Sequence, residues 1–110
     1  MTTITIYRNR NGEIIKYLVE GHTGYAEHGQ DIVCASITTA AVTALNGLTD
    51  VLGIGIGYEV RDGYLECILP DQMDDESRFG AKVLLESMVL SFQSLKEQYD
   101  DCISITELEV

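Results

Sequence analysis

Two residues in this chain have side chains suited to attack on a carbonyl. They are His22 and Cys34, both in the stretch GHTGYAEHGQDIVCAS from Gly21 to Ser36. A thiolate nucleophile gains from a neighbouring imidazole, which takes its proton, holds it as an ion pair and later protonates the leaving amine. His22 follows directly on the strand-like run IIKYLVE, whereas His28 falls within a glycine-rich polar segment where side chains are usually solvated. Chain order therefore makes His22 the histidine placed to meet Cys34. Cys67 and Cys102 lie in alternating, strand-like runs and read as packing residues. The pair also has an ordinary reading, because free cysteine commonly behaves as a small buried hydrophobe and histidine is commonly structural. On residue types alone both readings stand.

The local setting adds chemistry to Cys34. Asp31 precedes the apolar run IVCASITTAAVTALNGL, and a short carboxylate there can accept a hydrogen bond from a first-turn amide and favours the positive end of the helix dipole. The sequence thus predicts a helix opened by Asp31, with Cys34 as its third residue. First-turn amides lack intrahelical partners, so they would stabilise a thiolate and could donate to an oxyanion. No metal is expected: His22, His28 and Cys34 stand six and six residues apart, and no CxxC or HxxxH cluster accompanies them. GIGIG at 53–57 lacks the GxGxxG spacing and following helix of a dinucleotide site, so no cofactor is expected.

The elements that must position these residues follow from periodicity. TTITIY at 2–7 alternates around Ile4 and Ile6, and IIKYLVE at 14–20 reads as its returning strand across Asn11-Gly12, a pair that tolerates positive φ at both centres of a tight turn. Residues 21–30 read as a mobile loop. The first helix carries a stripe of Ile37, Ala41, Ala44, Leu45 and Leu48, and should end near Asp50. IGYEV and YLECIL form a second hairpin joined at Arg61-Asp62-Gly63 and closed by Pro70. A long helix follows, with Ala81, Leu85, Met88, Phe92, Leu95 and Tyr99 facing a core, Val83 and Leu84 widening that face, and Leu90 outside it. CISITELEV reads as a final strand. The order β-β-α-β-β-α-β predicts an α+β two-layer sandwich, with both helices on one face of a mainly antiparallel sheet. The opposite sheet face then needs solvent, a partner or a second copy.

Composition bounds the function. The chain of 110 residues, 45% hydrophobic, suits one domain spanning 1–110 with a single core. No run is read as a membrane span and no signal peptide is recognised, so the expected location is the cytoplasm. Three cysteines without close pairs argue for reduced thiols. The net charge of −11, from eighteen acids and seven bases, opposes nucleic-acid binding and would draw a basic partner, although it also serves plain solubility.

GHTGYAEHGQDIVCA, with a histidine just past a strand and DIVCA opening a helix, resembles the ribosomal-processing cysteine protease family Prp of bacteria, and the resemblance runs over essentially the whole chain. It implies a cytosolic homodimeric endopeptidase that removes a short N-terminal extension from ribosomal protein number 27 of the large subunit. By motif match His22 would be the general base and Cys34 the nucleophile. Asp31 would hold the loop and helix start with a secondary part in orienting His22, and Gly21, Gly24 and Gly29 would give the loop its mobility. Thr38 stands where members of that family often carry serine; a hydroxyl survives. Two other classes compete: a non-catalytic acidic module that binds a ribosomal protein or assembly factor, and a regulator whose Cys34 is oxidised as a redox sensor.

Overall fold

The computed structural model describes the backbone of residues 1–21 and 28–110, and the side chains of 1–21 and 32–110. Five strands, β1 (Thr2–Arg8), β2 (Ile14–Glu20), β3 (Gly57–Arg61), β4 (Tyr64–Ile68) and β5 (Ile103–Glu109), form one sheet in the spatial order β3-β4-β2-β1-β5. Helices α1 (His28–Asn46) and α2 (Asp75–Gln98) complete the α+β architecture. The β1–β2, β2–β4 and β3–β4 pairs are antiparallel, and β5 alone runs parallel to its neighbour β1.

Alternation in the strands decides the layers. Ile4 pairs with Val19 and Ile6 with Tyr17, while Tyr17 pairs with Cys67 and Val19 with Leu65, so all six share one face, and all are buried. That face meets Val33, Ile37, Ala41, Ala44, Leu45 and Leu48 of α1 and its extension, and Ala81, Leu85, Met88, Val89 and Phe92 of α2, in a single core. The expected helix stripes are therefore the buried ones, except that Leu95 is only half-buried and Tyr99 is exposed; of the two residues expected to widen the α2 face, Leu84 is half-buried against the core and Val83 points outward and is exposed. Tyr17 ties the layers together: its hydroxyl donates to the Ala41 carbonyl at 2.9 Å. Burial pushes the Tyr17 phenol well above its ordinary range, with the adjacent Cys67 adding to the shift. Burial likewise pushes the Cys67 thiol up to about 11.

Several local expectations are corrected. The first hairpin does not place positive φ at both Asn11 and Gly12: only Gly12 adopts it, at +81°. The reason is Asn9, whose side-chain oxygen accepts from the amides of Asn11 (2.9 Å) and Glu13 (3.0 Å) and builds a wider turn. Cys102 packs on the core from a 3-10 turn, Asp100–Cys102, rather than from the last strand. Among the described residues one segment, Ile32–Val51, is long and apolar enough to cross a bilayer by length and composition, with mean hydropathy 1.5. One stripe of it, Val33, Ile37, Ala41, Ala44, Leu45 and Leu48, lies buried on the sheet, as in the core helix of a globular domain.

The two helices meet through small residues. After α1 the chain makes a π-helical turn, Gly47–Val51, in which a Cβ on Gly47 would lie 2.6 Å from Leu84 Cδ1 of α2. Asp74 caps α2 by accepting from the Ser77 amide at 2.8 Å, and Asp75 and Glu76 occupy the first turn where the helix dipole favours anions.

Candidate active site

Cys34 sits half-buried on α1 over the ends of β1 and β2. Its Sγ lies 3.2 Å from the Thr2 hydroxyl, and that same hydroxyl donates to the Gly21 carbonyl at 3.4 Å. One side chain thus bridges the candidate nucleophile to the residue immediately before His22. The bridge exists because Thr2 occupies an inward position of β1, in step with Ile4 and Ile6, and is only 3% exposed. Gly21 closes the arrangement from the other side. Its φ of +91° turns the chain out of β2, its amide donates to the Gly63 carbonyl at 3.2 Å, and a Cβ there would run into the Met1 carbonyl oxygen. The start of β1, the end of β2 and the β3–β4 turn therefore meet beside Cys34.

Beside the sulfur a cleft of about 480 Å³ runs between α1 and the second hairpin. Ala35, Thr38, Thr39 and Ala41 line it from the helix, Val19 and Leu65 form part of its floor, and the hairpin segment from Val60 to Tyr64 forms its far wall. The far wall is polar at its rim. Arg61 lies over the Tyr64 ring, 3.8 Å from guanidinium carbon to centroid, and its Nε donates to Glu59 at 2.7 Å. The Glu59 hydrogen bond holds the Arg61 guanidinium above its ordinary value, while desolvation and then nearby Glu66 and Glu59 raise the Tyr64 phenol. The groove is apolar in its floor and polar at one lip, the form of surface that buries a ligand's apolar parts and orients it by a few polar groups.

The predicted site residues divide. Cys34 and Gly21 are brought together through Thr2. His22 and Gly24 lie outside the described residues, as do the other residues of 22–27. Helix α1 begins at His28, so Asp31 is not its opening residue, Gly29 belongs to the helix rather than to a mobile loop, and His28 is not mid-loop. Cys34 is consequently the seventh helical residue and not the third. An amide there already has an intrahelical partner, and the dipole effect fades beyond the first turn, so the expected helix-mouth stabilisation of Cys34 does not hold. The metal reading concerned His22, His28 and Cys34, and the side chains of both histidines lie outside the described residues. Thr38 reaches the cleft as an exposed residue. Sequence reasoning missed Thr2 and the 60–64 wall. The only signal for Thr2 was a hydroxyl at an inward position of an alternating apolar strand.

The family model for the cysteine protease Prp matches residues 1–104. The chain belongs to the Prp family. A Prp relative, the ribosomal processing cysteine protease of Bacillus subtilis (strain 168), is 32% identical over 108 residues, covering 96% of each chain. Two crystal structures of the S. aureus ribosomal processing protease Prp share the fold. The one in complex with a substrate peptide has a TM-score of 0.84 at 23% identity, and the one with a covalently linked product peptide has 0.81 at 26%. Both cover 97% of this chain and 99% of the other. Membership of the Prp family makes the chain a cysteine protease.

Proposed function

We propose that the chain is an endopeptidase that removes the N-terminal extension of large-subunit ribosomal protein number 27, with Cys34 as nucleophile and His22 as general base. The observation that carries this reading is the half-buried Cys34 sulfur at the edge of a peptide-sized cleft, bridged through Thr2 to the residue preceding His22. The sulfur proton passes to the His22 imidazole, and the thiolate attacks the scissile carbonyl to form a carbon–sulfur bond. The carbon–nitrogen bond then breaks as the imidazolium protonates the departing amine. Water adds to the thioester with His22 taking its proton, the carbon–sulfur bond breaks, and the thiol is restored.

The net charge of −11 supports a basic substrate such as a ribosomal protein, because it speeds the encounter of oppositely charged partners. The cytoplasm, where ribosomes assemble, is the corresponding location. We read the active form as a homodimer. Phe79, Val83 and Leu90 of α2 are 69%, 50% and 63% exposed and fall on one stripe at helical spacing, which offers an apolar surface for a second copy.

The test is incubation with the extended ribosomal protein, followed by N-terminal sequencing of the product. Wild type should create a single new N-terminus, and Cys34→Ala should bind the precursor but leave it intact. Turnover by Cys34→Ala rejects the nucleophile assignment. An uncleaved precursor with the wild-type chain favours the binding-module class instead.

A further inference from the structure

The Thr2 hydroxyl has one proton and two partners, and the choice between them depends on the charge of the sulfur. Its oxygen lies 3.2 Å from Cys34 Sγ and 3.4 Å from the Gly21 carbonyl oxygen. At 3% exposure the hydroxyl must satisfy itself within the protein, and the described structure gives it these two groups. While Cys34 is a thiol, the S–H donates to Thr2 Oγ1 and the hydroxyl proton points to Gly21. Once the sulfur proton has left for the general base, the hydroxyl proton can rotate onto the thiolate. It then exchanges a long neutral hydrogen bond for a stronger one to an anion.

We propose that Thr2 is a positioning residue for the Cys34 nucleophile, holding the thiol by accepting from it and then stabilising the thiolate by donating to it. The inference rests on the assignment of Cys34 as nucleophile. Thr2 adds a donor at a position outside the first turn of α1, Cys34 being its seventh residue. The β-branched side chain suits the task. Threonine in a strand has few χ1 choices, and burial between β1 and the end of β2 leaves the oxygen little freedom.

The experiment measures Cys34 alkylation by iodoacetamide between pH 5 and 9, mapped by mass spectrometry to separate it from Cys102, alongside cleavage kinetics. The isosteric Thr2→Val should slow Cys34 alkylation at pH 7 by about tenfold, the effect of losing one hydrogen bond to a charged group, and move the whole profile to higher pH. It should lower kcat while leaving KM unchanged. Thr2→Ser, which keeps the hydroxyl, should restore most of both. If Thr2→Val does not fold, Thr2→Ala carries the same expectation. A profile for the folded valine or alanine variant that superimposes on wild type overturns the proposal, as does a serine variant no better than valine. Alkylation needs no peptide, so failure of wild type to cleave its precursor rejects the protease reading separately and leaves the alkylation comparison to decide the role of Thr2.

Discussion

Gly21→Ala tests whether the meeting of the β1 start and the β2 end beside Cys34 depends on a missing side chain. Two effects add at this position. Alanine at φ +91° is forced into the left-handed region, which costs about 1–2 kcal/mol. Its Cβ would also meet the Met1 carbonyl oxygen, which is backbone and yields only if the main chain of Met1–Thr2 shifts, and overpacking of this kind costs roughly 1–3 kcal/mol more. Gly12 is the internal control, since it has φ +81° but nothing within 4 Å of an added Cβ. Gly12→Ala should therefore lose only the first contribution, about 1–2 kcal/mol. Gly21→Ala should lose about 2–5 kcal/mol, a large share of a small domain's typical 5–15 kcal/mol. Urea unfolding followed by circular dichroism reads the difference. In the variant the Met1–Thr2 segment must move away, so Cys34 alkylation should change in Gly21→Ala and stay at wild-type rate in Gly12→Ala. Equal stability losses for the two variants would refute the reasoning, because the close approach to Met1 would then constrain nothing.

Tyr17→Phe removes the only described side-chain hydrogen bond between β2 and α1, and should lower unfolding stability by about 1 kcal/mol in urea titrations without changing the slope. Alkaline stability has a definite sign. The folded Cys67 thiol is raised from 9.0 to about 11 and the Tyr17 phenol is raised above 10.0, so the unfolded chain releases these protons first. The urea midpoint should hold up to about pH 9 and fall as pH rises from there through 11. Cys67→Ala should flatten part of that decline, and a midpoint that rises with pH in wild type would contradict the assignment.

The chain's own pattern determined the elements and the faces they bury. Alternation around Ile4 and Ile6 marked the inward side of β1, and the stripes from Ile37 to Leu48 and Ala81 to Phe92 marked the helix faces, all of which are buried. Those signals are local, because periodicity reports which side of a segment avoids water. Periodicity does not report which other segment covers that side. Only the tertiary structure decided that β5 lies parallel to β1, which makes β1 an interior strand and carries Thr2 beneath α1. The start of α1 was misread for a related reason. Asp31 suits a cap, yet the helix continues back to His28, since a capping residue is a preference that neighbouring turns can override. Cys34 was legible because its type and flanking motif lie within a few residues of one another. The Thr2 contact joins residues 32 positions apart, and no local rule of spacing encodes which two distant side chains the sheet will bring to 3.2 Å.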